Sequence, residues 1–269
     1  MRVDTVRLGS LEVSRFILGG NPFSGFSHQT SEMDREQLHY YSCEQIKATY
    51  REAERLGVNT HIGRADHHII RTLMEYWDQG GTIQWIAQTC PELGTPERGA
   101  QNGLRNGAKA VFVHGGSMDF CRIHGRLDEI APVINMIHDH GLPAGVAGHT
   151  PAIFEWADEH LNCDFYMCSY YDPVSREKGA ENPGAGDDER FRKEDRDRMA
   201  ACIKHLSKPV IHYKVLAAGR TEPRAAFDFV ARTMRDGDAV CVGAYTKHRP
   251  NEIAEDVRLL EESLGKAKA

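Results

Sequence analysis

Residues 108–115, AKAVFVHG, decide the fold. Ala110, Val111, Phe112 and Val113 form an apolar run too short for a helix and rich in residues that favour strands. A strand without polar alternation is one buried on both faces, as parallel sheets require. His114 and the pair Gly115-Gly116 then break the run, placing the imidazole at the mouth of a barrel beside a flexible backbone turn.

The same design recurs on both sides of this segment. RFILGG (15–20), VNTHIG (58–63) and TIQWIAQ (82–88) precede it; PAGVAGH (143–149), CDFYMCS (163–169), KPVIHYK (208–214) and DAVCVGA (238–244) follow. Helix-like spacing fills the intervals. Eight units in 269 residues leave about 34 residues for each, close to the ~30 that a strand, a helix and two loops require. The pattern predicts a single (β/α)8 barrel, an α/β TIM barrel spanning 1–269 as one domain. VDTVRLGSLEVS (3–14) reads as a β-hairpin around Leu8-Gly9-Ser10 that plugs the barrel's floor. Thr150-Pro151 and Thr221-Glu222-Pro223 offer hydroxyl N-caps followed by proline. Gly57, Gly107, Gly141 and Gly237 stand where left-handed C-caps would turn helices back to strands.

Composition narrows the partners. A net charge of -6 and a pI near 6.2 supply no basic field for nucleic acid. No stretch approaches the ~18 apolar residues of a membrane span, and MRVDTVRLGS lacks the apolar core of a signal peptide. The expectation is a cytoplasmic protein with a small-molecule substrate and no membrane or nucleic-acid partner. Seven scattered cysteines without a CxxC pair read as reduced, core-filling thiols.

In such a barrel the chemistry sits at the C-terminal strand ends and the loops after them. Those positions are polar here: Asn21, Arg64, Asp66, His67, His68, Gln88, His114, His149, Ser169, Tyr170, Tyr171, Asp172, His212, Lys214, Tyr245, Thr246 and Lys247, with Tyr213 alternating to the other side of Lys214. Among the 14 histidines, His28, His39, His124, His138, His140, His160 and His205 read as loop or helix-surface residues. His114, His149 and His67 are the candidate acid-base groups. Lys214 joins them as an oxyanion or anion stabiliser, or as a base if burial lowers its pKa. Asn21, Arg64, Gln88, Tyr170, Tyr171 and Tyr213 are the substrate-binding candidates. The three histidines together could also ligate a divalent metal. The loop 171–187, YDPVSREKGAENPGAGD, has the composition of a lid or of a plain surface loop.

LGSLEVSRFILGGNPF (8–23), REAERLGVNTHIG (51–63), AVFVHGGSMD (110–119), PVIHYKVLAAGR (209–220) and VCVGAYTKHRPNEIAEDVRLL (240–260) together resemble the aldo-keto reductase superfamily. The resemblance implies a (β/α)8 barrel that reduces carbonyls with NADPH, using an aspartate, a tyrosine, a lysine and a histidine. His114 matches the histidine. The aspartate position falls on Ile62, the tyrosine on His67, and the lysine on Gln88 or Thr89. Ala147, Gly148 and Met167 stand where nicotinamide-holding serine, asparagine and glutamine are expected. Tyr213 matches the tyrosine that stacks on the nicotinamide. If NADPH binds, Lys247, Arg249 and Glu252 fall near its adenosine phosphate.

The residues therefore predict an enzyme acting on a small sugar-like or hydroxy-carbonyl substrate by histidine-centred acid-base chemistry, of lyase, isomerase or hydrolase type. One alternative is an NADPH-dependent reductase with a modified tetrad and His67 as proton donor. The other is a barrel that binds without catalysing.

Overall fold

The computed structural model of the chain describes residues 3–181 and 190–267. The chain opens with an antiparallel hairpin of β1 (Thr5–Leu8) and β2 (Leu11–Ser14), Val6 opposite Val13 and Leu8 opposite Leu11. Gly9 makes the turn at φ +59°, and a Cβ there would meet Asp164 Oδ1 at 2.8 Å, so both conformation and space select glycine.

Eight parallel strands follow: β3 (Phe16–Gly19), β4 (Thr60–Arg64), β5 (Gln84–Gln88), β6 (Ala110–Val113), β7 (Ala144–Gly148), β8 (Phe165–Ser169), β9 (Val210–Tyr213) and β10 (Ala239–Gly243). They pair in chain order, and β10 closes on β3 with Cys241 beside Ile17. Each strand falls on one of the eight runs read from the sequence, β4 extending one residue past its run to Arg64.

The helices are α1 (Ser31–Tyr40), α2 (Cys43–Arg55), α3 (His67–Asp78), α4 (Pro96–Arg105), α5 (Gly115–Ile123), α6 (Ala131–Asp139), α7 (Pro151–His160), α8 (Lys193–Ile203), α9 (Pro223–Thr233) and α10 (Glu252–Ala267). An even beat needs one helix per strand. The first and fourth crossovers carry two each, so α1 and α5 are additions on the mouth side of the barrel.

Side chains alternate across the barrel wall, as strand geometry requires. Ile17, Ile62, Ile86, Phe112, Ala147, Met167, Ile211 and Cys241 fill the interior. Val6, Leu8 and Val13 of the hairpin belong to the same cluster, so the hairpin closes the floor. The outward residues, among them Val111, Val113, Tyr166, Cys168 and Val210, pack beneath the helices in a second cluster. The seven thiols are free, and five are buried.

Three local expectations need correction. Thr150 precedes α7, but its hydroxyl makes no capping bond and finds no partner among the described residues. At α9 the Glu222 carboxylate, not Thr221, accepts the Arg224 and Ala225 N–H groups at 3.0 and 2.8 Å. Gly57, Gly107 and Gly141 adopt the left-handed conformation; Gly237 does not, because α9 already ends at Thr233.

Candidate active site

A cavity of about 230 Å³ opens at the C-terminal ends of the strands. Strand parity explains its walls. Each inward position of a strand is followed two residues later by a mouth residue: Ile62 by Arg64, Ile86 by Gln88, Phe112 by His114, Ala147 by His149 and Ile211 by Tyr213. All five mouth residues line the cavity, with Asn21 and Lys214.

His114 is the N-cap of α5. Its Nδ1 accepts the Gly116 N–H at 3.1 Å, and its own N–H donates to Thr89 Oγ1 at 2.9 Å. A ring nitrogen that accepts from a backbone amide carries no proton, so in the neutral ring the proton sits on Nε2. Burial, with the nearby cations Arg176, Arg64 and Lys214, holds this imidazole well below the usual histidine range. His114 is therefore a neutral hydrogen-bond donor.

His149 has the complementary arrangement. Its Nδ1 faces Asp119 Oδ2 at 2.5 Å, and its backbone N–H reaches Asp119 Oδ1 at 3.4 Å. Both residues are buried. A carboxylate on Nδ1 orients the ring, keeps the proton there and leaves the Nε2 lone pair available. Nε2 lies 3.3 Å from the Tyr213 hydroxyl, which also donates to the Gly148 carbonyl at 3.4 Å. Burial, with Asp119 nearby, pushes the Tyr213 phenol well above its ordinary range, so it stays protonated.

Across the cavity, Lys214 Nζ donates to His28 Nε2 at 2.9 Å, and Asn21 Nδ2 lies 3.3 Å from the same nitrogen. Lys214 holds a left-handed backbone, φ +58°, a conformation that costs a non-glycine residue about 1–2 kcal/mol. Arg64 is braced by Asp66 at 2.8 Å and Glu92 at 3.2 Å. Its guanidinium lies over Phe26.

The remaining candidates lie elsewhere. His67 is exposed in the first turn of α3, away from the cavity. The proposed set of His67, His114 and His149 is thus not assembled, and no metal-holding group of three or more His, Cys, Asp or Glu exists among the described residues. Tyr170 takes the outward parity of β8 and bonds His212 Nδ1 at 3.0 Å beneath the helices. Tyr171 packs on Phe191. Of the loop 171–187, residues 182–187 lie outside the described residues. Within the described part Arg176 is buried, and Ala180 O packs so closely on Gly116 that a Cβ there would clash.

Asp119, His28, Gln37 and Glu252 belong to the site and were missed as catalytic or substrate-binding candidates. His28 and Gln37 come from the insertion after β3, and Asp119 from the extra helix α5, neither of which the strand beat marks.

The NADPH implied by the resemblance fits these residues poorly. Lys247 is paired with Glu36 at 3.2 Å, and Arg249 with Glu252 and Glu255 at 3.1 and 2.6 Å. Carboxylates occupy the cations that would meet an adenosine phosphate. Ile62 lines the cavity where the aspartate is expected, and Gln88 where a lysine is expected.

No helix among the described residues is long and apolar enough to cross a membrane. No family model and no curated protein matches the chain. Among solved structures, a putative aldo-keto reductase from Pseudomonas aeruginosa is 17% identical, covering 98% of this chain and 95% of its own, with a TM-score of 0.66. An aldo-keto reductase from Bacillus halodurans in its holo form is 12% identical over 99% and 96%, at 0.61. An N-acetylmannosamine-6-phosphate 2-epimerase from Clostridium perfringens is 13% identical over 89% and 90%, at 0.52. With its floor hairpin and closed ring of eight strands, the chain has the fold of the aldo-keto reductases.

Proposed function

We propose that the protein is an enzyme that moves a proton on the carbon next to the carbonyl of a small hydroxy-carbonyl or sugar-like substrate, in an isomerase-, epimerase- or lyase-type reaction. The observation that carries this reading is the Asp119–His149 pair facing the same cavity as His114, whose tautomer is fixed by Gly116. His149 Nε2 takes the proton. The C–H electrons become the C=C bond of an enol(ate), and the carbonyl π electrons move to oxygen. The His114 Nε2–H donates to that oxygen, as a neutral imidazole at a helix N-terminus can. Return of the proton to carbon completes an exchange or an inversion. Asp119 positions His149 and stabilises its imidazolium while it holds the proton. Tyr213 offers its hydroxyl beside the reacting carbon, and Gln88 and Asn21 are placed to bind substrate oxygens.

The test is deuterium uptake. Glyceraldehyde, dihydroxyacetone and free four- to six-carbon sugars are incubated with the protein in D2O, and loss of the C–H signal next to the carbonyl is followed by proton NMR. The wild type should exceed buffer, and His149→Ala and Asp119→Asn should each lose about 100-fold or more, the usual contribution of a positioned acid or base. No enzyme-dependent uptake, or carbonyl reduction that consumes NADPH instead, overturns the reading.

A further inference from the structure

The catalytic histidines occupy only one side of the mouth. His114 and His149 follow β6 and β7; in the closed order of strands, the opposite wall is β10 and β3. That wall is covered by α1, one of the two added helices. Tyr245, which follows β10, donates its hydroxyl to Glu36 of α1 at 2.6 Å and packs against the rings of Tyr40 and Tyr41.

The next residue on α1, Gln37, lines the cavity and is only 5% exposed. Its Oε1 has no hydrogen-bond partner among the described residues. A buried amide oxygen left without a donor is costly, and natural proteins seldom keep one without a use. Glu252 lines the same corner, its carboxylate accepting the Tyr245 N–H at 2.5 Å and pairing with Arg249. A carboxylate has room for further donors beyond these two. The corner therefore offers acceptors. The neighbouring cations Lys247 and Arg249 are already neutralised by Glu36, Glu252 and Glu255.

We infer that the α1 end of the cavity is a subsite for the uncharged, hydroxyl-bearing tail of the substrate, with Gln37 and Glu252 accepting from its hydroxyls. It rests on the proposed function for the position of the reacting carbonyl, and it adds the class of the distal group. An unphosphorylated polyol chain fits; a terminal phosphate meets lone pairs and carboxylates.

A hexitol such as sorbitol carries the tail without any carbonyl, so its binding reads the subsite independently of turnover. Its affinity is measured by ligand-observed NMR on the wild type, on Gln37→Met, which keeps the side chain's shape, and on Glu252→Gln, with thermal melts to verify folding. The wild type should bind sorbitol at least ten times more tightly than sorbitol 6-phosphate, and Gln37→Met should lose about tenfold. In the exchange assay, Gln37→Met should raise KM for a six-carbon sugar severalfold more than KM for glyceraldehyde. Tighter binding of the phosphate ester, or sorbitol affinity unchanged in folded Gln37→Met, overturns the subsite. Gln37-dependent sorbitol binding without deuterium uptake overturns the chemistry and leaves the subsite standing.

Discussion

Gly115 lies against both His149 and Tyr213. A Cβ at this position would lie 2.9 Å from His149 Cε1 and 3.2 Å from the Tyr213 hydroxyl. The glycine is needed for space, since its φ is not one of the left-handed angles. Gly115→Ala should turn the His149 ring away from its place, and a displacement near 1 Å costs about 100-fold in rate. Deuterium uptake should fall by that order while the thermal midpoint moves little; an unaltered rate would remove His149 from the mechanism. Residue-scale parity was also where the sequence was most readable. Counting by twos from Phe112, Ala147 and Ile86 leads to His114, His149 and Gln88, whereas the expectation of Tyr170 at the substrate, and of Tyr213 turned away from it, failed to apply the same count from Met167 and Ile211. Asp119 left no such trace, because its meeting with His149 across 30 residues depends on how α5 packs on β7.

Among the elements, α10 carries a feature with a pH signature. Asp256 is buried on its inner side, and both carboxylate oxygens lack partners among the described residues. Burial, with Glu252 adding to it, pushes the carboxyl up to about 7. In the unfolded chain the same group ionises near pH 4. Between those values the folded state keeps a proton that the unfolded state has released, so stability declines as pH rises from about 4 to about 7, then levels off. The total cost is of order 4 kcal/mol, at about 1.4 kcal/mol per pH unit. Asp256→Asn should match wild type near pH 4 and exceed it increasingly up to pH 7–8, as read by melting curves across pH. A difference constant with pH would rule out this origin. The eight core strands and most helices were legible because the chain repeats them. The added helices α1 and α5 were not, because a short segment after a strand reads equally as loop or as helix until tertiary packing selects one.

At the scale of the molecule, the hairpin and the barrel interior form one apolar body. Leu8 is fully buried within it, at the far end from the cavity. Leu8→Ala should cost about 2–5 kcal/mol, the usual penalty for a leucine-sized void. Urea titration should show the loss of stability, while uptake of deuterium at 25 °C stays at the wild-type rate. A parallel fall in rate would mean that floor and mouth are coupled. The sealed floor also governs traffic. With Val6, Leu8 and Val13 closing one end and Ile17, Ile62, Phe112 and Phe165 filling the bore, the described residues leave no tunnel across the ring. Under the proposed function, reactant and product then share the mouth as their doorway, so one has to leave before the other can enter.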